Sequence, residues 1–132
     1  MNMITGILFK INMETTFYNK TGHPQIYLST DDDNYFYTWH GHAVAYLYED
    51  QIYGWRGKHI GWYHEGIIYD LKGYRVGSIR EKCPYSVYSE YSKYSKYSQY
   101  SQYSRHSPYS KPSFRTTYSN TDLIDFIMQN KV

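Results

Sequence analysis

FYNKTGHPQIYL (Phe17–Leu28), FYTWHGHAVAYL (Phe36–Leu47), IYGWRGKHIGWY (Ile52–Tyr63) and IYDLKGYRVGSI (Ile68–Ile79) are four ungapped copies of one twelve-residue phrase. Each copy has Tyr at its second place (Tyr18, Tyr37, Tyr53, Tyr69) and Gly at its sixth (Gly22, Gly41, Gly57, Gly73). One small unit repeated four times predicts a pseudo-fourfold structure in which each unit buries its apolar face against its neighbours.

Within a copy, places one to four and nine to twelve are rich in aromatic and β-branched residues, and a polar stretch with Gly lies between them. Strand, Gly-containing turn, strand is the hairpin signature, because Gly supplies the positive φ of a tight turn. No 3.6-residue period runs through the copies, which argues against helices. Short polar links join the hairpins at Ser29–Tyr35, Tyr48–Gln51 and His64–Ile67. The expected fold is therefore all-β: four consecutive hairpins, eight strands in up-and-down order, around a pseudo-fourfold axis. From the second copy on, place ten is small (Ala45, Gly61, Gly77), which predicts close approach of another backbone there. Tyr46 and Trp62 at place eleven then face the other way.

The chain has 132 residues, a fifth of them aromatic, with 19 Tyr. This composition predicts a core built from rings, the repeated Trp39, Trp55 and Trp62 included. Net charge is +2, too small to indicate nucleic acid by itself. Cys83 is the sole cysteine, which excludes an internal disulfide framework and a multi-cysteine zinc site. No run reaches transmembrane length, so no membrane insertion is expected. The short apolar patch Ile4–Phe9 lacks a basic start and a small-residue cleavage site, and a cytoplasmic location is the expectation.

Residues 1–13 precede the repeats as an N-terminal extension, the first twelve being either an upstream start or a short extra strand over Ile7–Ile11, and the repeat domain covers 14–83. From Tyr85 a Tyr-Ser-x triplet takes over, forming a low-complexity linker over 84–118. A period of three matches polyproline II and neither helix nor strand. Triplets of Tyr, Ser, Lys and Gln bury no core of their own, so the segment reads as an unpacked spacer, the alternative being a sticky Tyr-rich stretch that stacks on bases or sugars or self-associates. Over 119–130, Ser119-Asn120-Thr121-Asp122 before Leu123-Ile124-Asp125-Phe126-Ile127-Met128 predicts a capped helix of about two turns. Alone it is too short to be stable, and it must dock.

Phe17-Tyr18, the stretch Tyr53–Trp62 and the stretch Tyr69–Gly77 resemble the bacterial family called the 4-fold β-flower domain, over about residues 14–83. Gly57-Lys58-His59-Ile60-Gly61-Trp62 is the most specific part. The first copy departs from the pattern, with Lys20 where the second and third have Trp39 and Trp55, and Gln25 where the others have Val or Ile. The resemblance implies four β units about a pseudo-fourfold axis and no assigned reaction, ligand or cofactor.

His40-Gly41-His42 has the look of a metal pair, with His23, His59 and His64 in comparable turn or link positions, but metal sites need three or four converging ligands, so solvated turn histidines are expected. Neither Cys83 nor any Ser sits in a nucleophile motif. Asp70 reads as a turn-initiating Asp ahead of Gly73. In an up-and-down arrangement the four turns share one end. They gather Lys20, His23, His40, His42, Arg56, Lys58, His59, Lys72 and Arg75, of which His40, His42, Arg56, Lys58, His59, Lys72 and Arg75 form the candidate binding face. The links gather Asp31, Asp32, Asp33, Glu49, Asp50 and Glu65 at the other end. The functional expectation is a non-enzymatic binding or assembly module, self-associating or with a protein partner. The alternatives are binding of an anionic polymer or phosphate at the basic turn face, or a small hydrolase. No cofactor is expected.

Overall fold

Each copy of the repeat is a β-hairpin, and the computed structural model, which describes residues 13–31, 33–97 and 100–132, closes the four into an eight-stranded antiparallel barrel. The strands are β1 (Glu14–Tyr18), β2 (Pro24–Ser29), β3 (Tyr35–Thr38), β4 (Ala43–Tyr48), β5 (Gln51–Gly54), β6 (His59–His64), β7 (Ile67–Asp70) and β8 (Arg75–Ser78), paired in chain order. The expected all-β arrangement of four hairpins is what forms. The extra strand expected over Ile7–Ile11, and the link residue Asp32, lie outside the described residues.

The four turns are built alike. The place-three N–H donates to the place-seven carbonyl, and the place-six Gly N–H donates back to the place-three carbonyl, all at 2.8–3.0 Å. Gly22, Gly41, Gly57 and Gly73 sit at φ of 89–94°, where a side chain would be strained. Asp70 Oδ1 accepts the backbone N–H groups of Lys72 and Tyr74, which is the turn-initiating role expected of it. Asn19 does the same in the first turn.

In every hairpin the pairing register slips by one residue at place nine: Gln25, Val44, Ile60 and Val76. Such a bulge turns two successive residues toward one side. The barrel interior accordingly takes Val44, Ile60 and Val76 of place nine together with Ile26 and Ala45 of place ten. Across from place ten stand Phe17, Phe36, Ile52 and Ile68 of place one. Small meets large at three of these four pairs, Phe36 with Ala45, Ile52 with Gly61 and Ile68 with Gly77.

The space that remains is filled by α1 (Leu123–Met128), which enters the turn-side mouth and buries Leu123, Phe126 and Ile127 in the same core. A side chain at Gly61 would strike both the Tyr69 carbonyl of the next strand and the Phe126 ring, and one at Gly77 would meet Leu123. The small place-ten residues thus serve the expected strand contact and the helix as well. Asp122 stands at the N-cap, but its carboxylate accepts from Asn19 Nδ2 (2.9 Å) and Gln25 Nε2 (2.8 Å) instead of capping. Gln25 Oε1 accepts the Ile124 N–H at 2.9 Å in its place. At the far end, Asn130 accepts the N–H groups of Arg56 and Lys58. The helix spans the mouth from the first hairpin to the third.

The expectation of a ring-built core holds in part: the repeated Tyr residues, Trp55 and Trp62 are buried, but outside the barrel interior. Apart from Phe17, Phe36 and Phe126, the interior is aliphatic. Tyr and Trp form a second layer on the outer face, where place eleven of one hairpin lies opposite place two of the next: Tyr27 with Tyr37, Tyr46 with Tyr53, Trp62 with Tyr69, and at the closure Ser78 with Tyr18. The first two pairs stack at 5.4 and 5.6 Å. Trp55 and Trp62 are buried in this outer layer, and Trp39 is half-buried.

What covers that layer is the triplet segment, and the reading of residues 84–118 as an unpacked spacer is overturned. The chain makes one lap of the barrel as a belt across the four turns. Tyr88, Tyr97, His106 and Arg115, nine residues apart, donate their N–H groups to the carbonyls of Gly22, Gly41, Gly57 and Gly73 at 2.8–3.0 Å. Tyr94 and Tyr103 donate to the carbonyls of Trp39 and Trp55. A methyl on any of the four glycines would strike the carbonyl of Ser86, Ser95, Ser104 or Ser113, again nine apart. Three triplets therefore cover one hairpin. At about 3.1 Å per residue, nine residues reach about 28 Å.

Third-place residues of several triplets lie over the outer rings. Lys93 lies over the Tyr27 ring, Lys96 over Tyr37, Lys111 over Trp62, and Phe114 stacks on Tyr69 at 4.1 Å. Such contacts offset the exposure of aromatic area by cation–π attraction and burial. The same lysines reach the acids of the strands and links: Lys93 to Glu14 (3.2 Å), Lys96 to Asp31 (3.1 Å) and Lys111 to Asp50 (2.6 Å).

Amide exchange tests the belt directly. Protection is expected at Tyr88, Tyr94, Tyr97, Tyr103, His106 and Arg115, with fast exchange at Tyr91 and Ser95 between them; uniformly fast exchange across the triplets would restore the spacer. Trp55→Ala removes a ring buried under the belt whose Nε1 donates to the Tyr100 carbonyl at 2.9 Å. It is expected to cost about 3–5 kcal/mol in chemical denaturation, and an unchanged midpoint would contradict the outer layer's structural role.

Candidate functional site

The turn-side end of the barrel is where α1, the belt and the seven candidate residues meet. Because α1 lies diagonally across the mouth, two openings flank it. The one over the second hairpin is a cavity of about 820 Å³ lined by Trp39, His40, His42, Val44, Ile124 and Met128, among others. Its floor is apolar, from the bulge residue Val44 and the outer edge of the helix. Its walls are aromatic: Tyr91 meets Trp39 edge-on at 6.1 Å, and Trp39 is fixed by donation from Nε1 to the Pro24 carbonyl at 2.9 Å. Its rim is histidine, with the His42 ring 4.2 Å from Tyr97 and His23 stacked on Tyr88 at 4.5 Å. No carboxylate side chain belongs to the lining. The opening over the fourth hairpin, about 740 Å³, is more polar and carries Asp70, Lys72 and Asp125.

The candidate residues do not form one patch. His40 and His42 flank the second turn, edge-on to Tyr94 and Tyr97 of the belt. Arg56 and Lys58 flank the third turn, beside the end of α1. Lys72 and Arg75 converge with a belt cation that the sequence reading did not place there: Arg75 Nε donates to the Arg115 carbonyl (3.0 Å), and Arg115 Nε to the Lys72 carbonyl (3.4 Å). His59 is withdrawn from the face altogether. It is buried, with Nδ1 accepting the Tyr109 N–H and Nε2 donating to the Gly61 carbonyl, both at 2.9 Å. These bonds assign the neutral tautomer protonated at Nε2, and burial lowers its pKa. The expectation of a solvated turn histidine fails there because the belt closes over it.

Three functional features were missed in the sequence: Val44 and Met128 as cavity floor, and Tyr91 as its wall. The last belongs to a triplet that reads like every other. Burial pushes the Tyr27 hydroxyl up to about 12, and burial with the Asp33 hydrogen bond does the same for Tyr35. These two hydroxyls thus stay neutral over any ordinary pH. Among the described residues no group of three or more His, Cys, Asp and Glu could hold a metal ion. No helix among them is long and apolar enough to cross a membrane.

The family model of the 4-fold beta flower protein matches residues 15–127. No curated protein and no solved structure matches. The chain belongs to the 4-fold beta flower family, and the match reaches beyond residues 14–83 into the belt and α1.

His59 gives a pH prediction. Its pKa is lowered in the folded state, so below the unfolded value of 6.5 the unfolded chain binds a proton that the folded chain refuses. Stability from this group is complete above that value and is lost as pH falls from it toward the lowered folded pKa. Melting temperature is expected to drop over that window, and less steeply in His59→Gln. Parallel profiles for the two proteins would refute the buried neutral imidazole.

Proposed function

We propose that this member of the 4-fold beta flower family is a non-enzymatic binding module whose ligand enters the turn-side mouth over the second hairpin. The observation that carries the reading is the cavity beside α1: an apolar floor of Val44, Ile124 and Met128, a Trp39 wall held in place by its own hydrogen bond, and a histidine rim. Pockets for small organic molecules have this composition, largely apolar with few polar groups that fix orientation. A flat, mainly apolar molecule with one hydrogen-bond acceptor suits it, the body stacking on Trp39 and the acceptor meeting His40 or His42.

A second reading, an anionic partner on the basic turn face, is favoured by how the charges are paired. The link acids Asp31 and Asp50 are matched within the chain by Lys96 and Lys111. Arg56, Lys58 and Lys72 make no ion pair among the described residues. Head-to-tail assembly through opposite poles loses some force for the same reason, since Asp31 and Asp50 of its acidic pole are already paired with the belt.

Titration with 2-naphthol, followed by amide shifts, tests the cavity. Saturable changes are expected to be confined to residues around 38–44, 91–97 and 124–131. Met128→Trp, which fills the floor, is expected to weaken binding at least tenfold. Changes spread evenly over the barrel, or undiminished binding by the filled variant, would sink the reading.

A further inference from the structure

The belt begins at Cys83-Pro84 and returns, one lap later, at Thr116–Tyr118, and between its two ends lies a third cavity of about 480 Å³. It sits over the seam of the barrel, between the first and fourth hairpins. There β1 and β8 share a single register pair, Tyr18 with Ser78, whereas neighbouring strands elsewhere share three to five. Three of the lining side chains are cations, Lys20, Arg75 and Lys82, and none is a carboxylate. Thr21, Thr116 and Tyr85 add hydroxyls.

We infer that this seam cavity is a binding site for a phosphoryl group carried by a small molecule. Two observations converge. The cations make no ion pair among the described residues, and Glu81, the acid next to Lys82, is exposed in the short 3-10 turn at Arg80–Lys82 and is no part of the lining. Like charges gathered without a counter-charge repel, and a multiply charged anion relieves this. Arg75 is also prepared: its Nε is held by the Arg115 carbonyl, so the guanidinium is fixed while its outer edge is left for a bidentate oxyanion.

The repeat itself marks the place. Place four is Trp39 in the second hairpin, Trp55 in the third and Leu71 in the fourth, and only the first carries a cation, Lys20. Place eleven is aromatic in three hairpins and Ser78 in the fourth. Both departures fall at the seam, and together they replace a stack of rings by a hollow with positive charge. A single carboxylate would leave most of that charge unanswered, whereas a phosphoryl dianion with an organic remainder fits both the charge and a volume larger than the group itself.

The proposal rests on the basic-face reading of the turn end and not on the cavity over the second hairpin. Inorganic diphosphate titrated into the full chain at low ionic strength is expected to bind saturably, shifting amides of Thr21, Arg75, Lys82 and Thr116–Tyr118. Because the anion ties β1 to β8, the melting temperature rises with its concentration. Lys20→Gln and Lys82→Gln, both exposed positions, are expected to weaken binding at least tenfold each, and Lys20→Trp, which restores the residue of the second and third hairpins, abolishes it. Sulfate is expected to bind at least tenfold more weakly than diphosphate. Equal affinity for the two anions, or binding untouched by Lys20→Gln and Lys82→Gln, overturns the seam site. Shifts centred on Arg56 and Lys58 overturn it while sustaining the basic face, and no binding at low salt overturns both.

Discussion

The structure depends on the contact between four turn glycines and a polypeptide that crosses them. Each glycine must adopt positive φ to close its hairpin, and the same missing side chain lets a serine carbonyl of the belt come down onto it. Its carbonyl then accepts an N–H from the belt two residues further on. One small residue thus fixes the hairpin and the docking of a segment roughly forty to sixty-five residues further along the chain. Replacing any of the four would meet both costs at once, backbone strain and collision with backbone that cannot swing aside.

From this constraint a layered molecule follows. Innermost are the aliphatic bulge residues and the helix, then the strands, then a shell of Tyr and Trp, then the belt. Short strands of four to six residues make a shallow barrel, and a barrel of this size has little interior of its own. The outer shell compensates by giving the sheet a second buried face. Lysines suit the belt because a flexible apolar stem covers a ring while the ammonium reaches an acid at its edge. The tyrosines point the other way: from Tyr85 to Tyr109 those described are 52–82% exposed. They leave the domain with a girdle of half-open rings, several of them resting on turn histidines.

The hairpins were legible because local chemistry dictates them. Gly41 in a polar stretch between Phe36-Tyr37 and Ala45-Tyr46 has few other solutions, and the same holds for the other copies. The small residues Gly61 and Gly77 were legible as sites of close approach, though not as seats for Phe126 and Leu123. The belt was not legible, for a physical reason. Its hydrogen bonds run from backbone to backbone, so nothing in the side chains of Tyr88 or Tyr97 announces them, and its period of three hides the period of nine that does the docking. The departures of the first hairpin were visible as departures only. Gln25 differs from Val44, Ile60 and Val76 because it caps a helix from across the mouth, and Lys20 differs from Trp39 because it borders a hollow. Neither role has a local signature. For the candidate site, the basic turns were readable from residue type, whereas the withdrawal of His59 and the floor built by Val44 and Met128 needed the belt and helix in place.

The nine-residue interval behaves like the pitch of a screw thread engaging a nut with four teeth. Substitution within a triplet changes one tooth's fit, but adding or removing a residue between Ser86 and Ser113 throws every later tooth out of mesh. Even a whole triplet, which keeps inward and outward faces correct, leaves Arg115 three residues away from Gly73. Length along this stretch is therefore quantised, and a segment that looks like free repetitive filler is among the least elastic parts of the chain. Composition can drift there; residue count cannot.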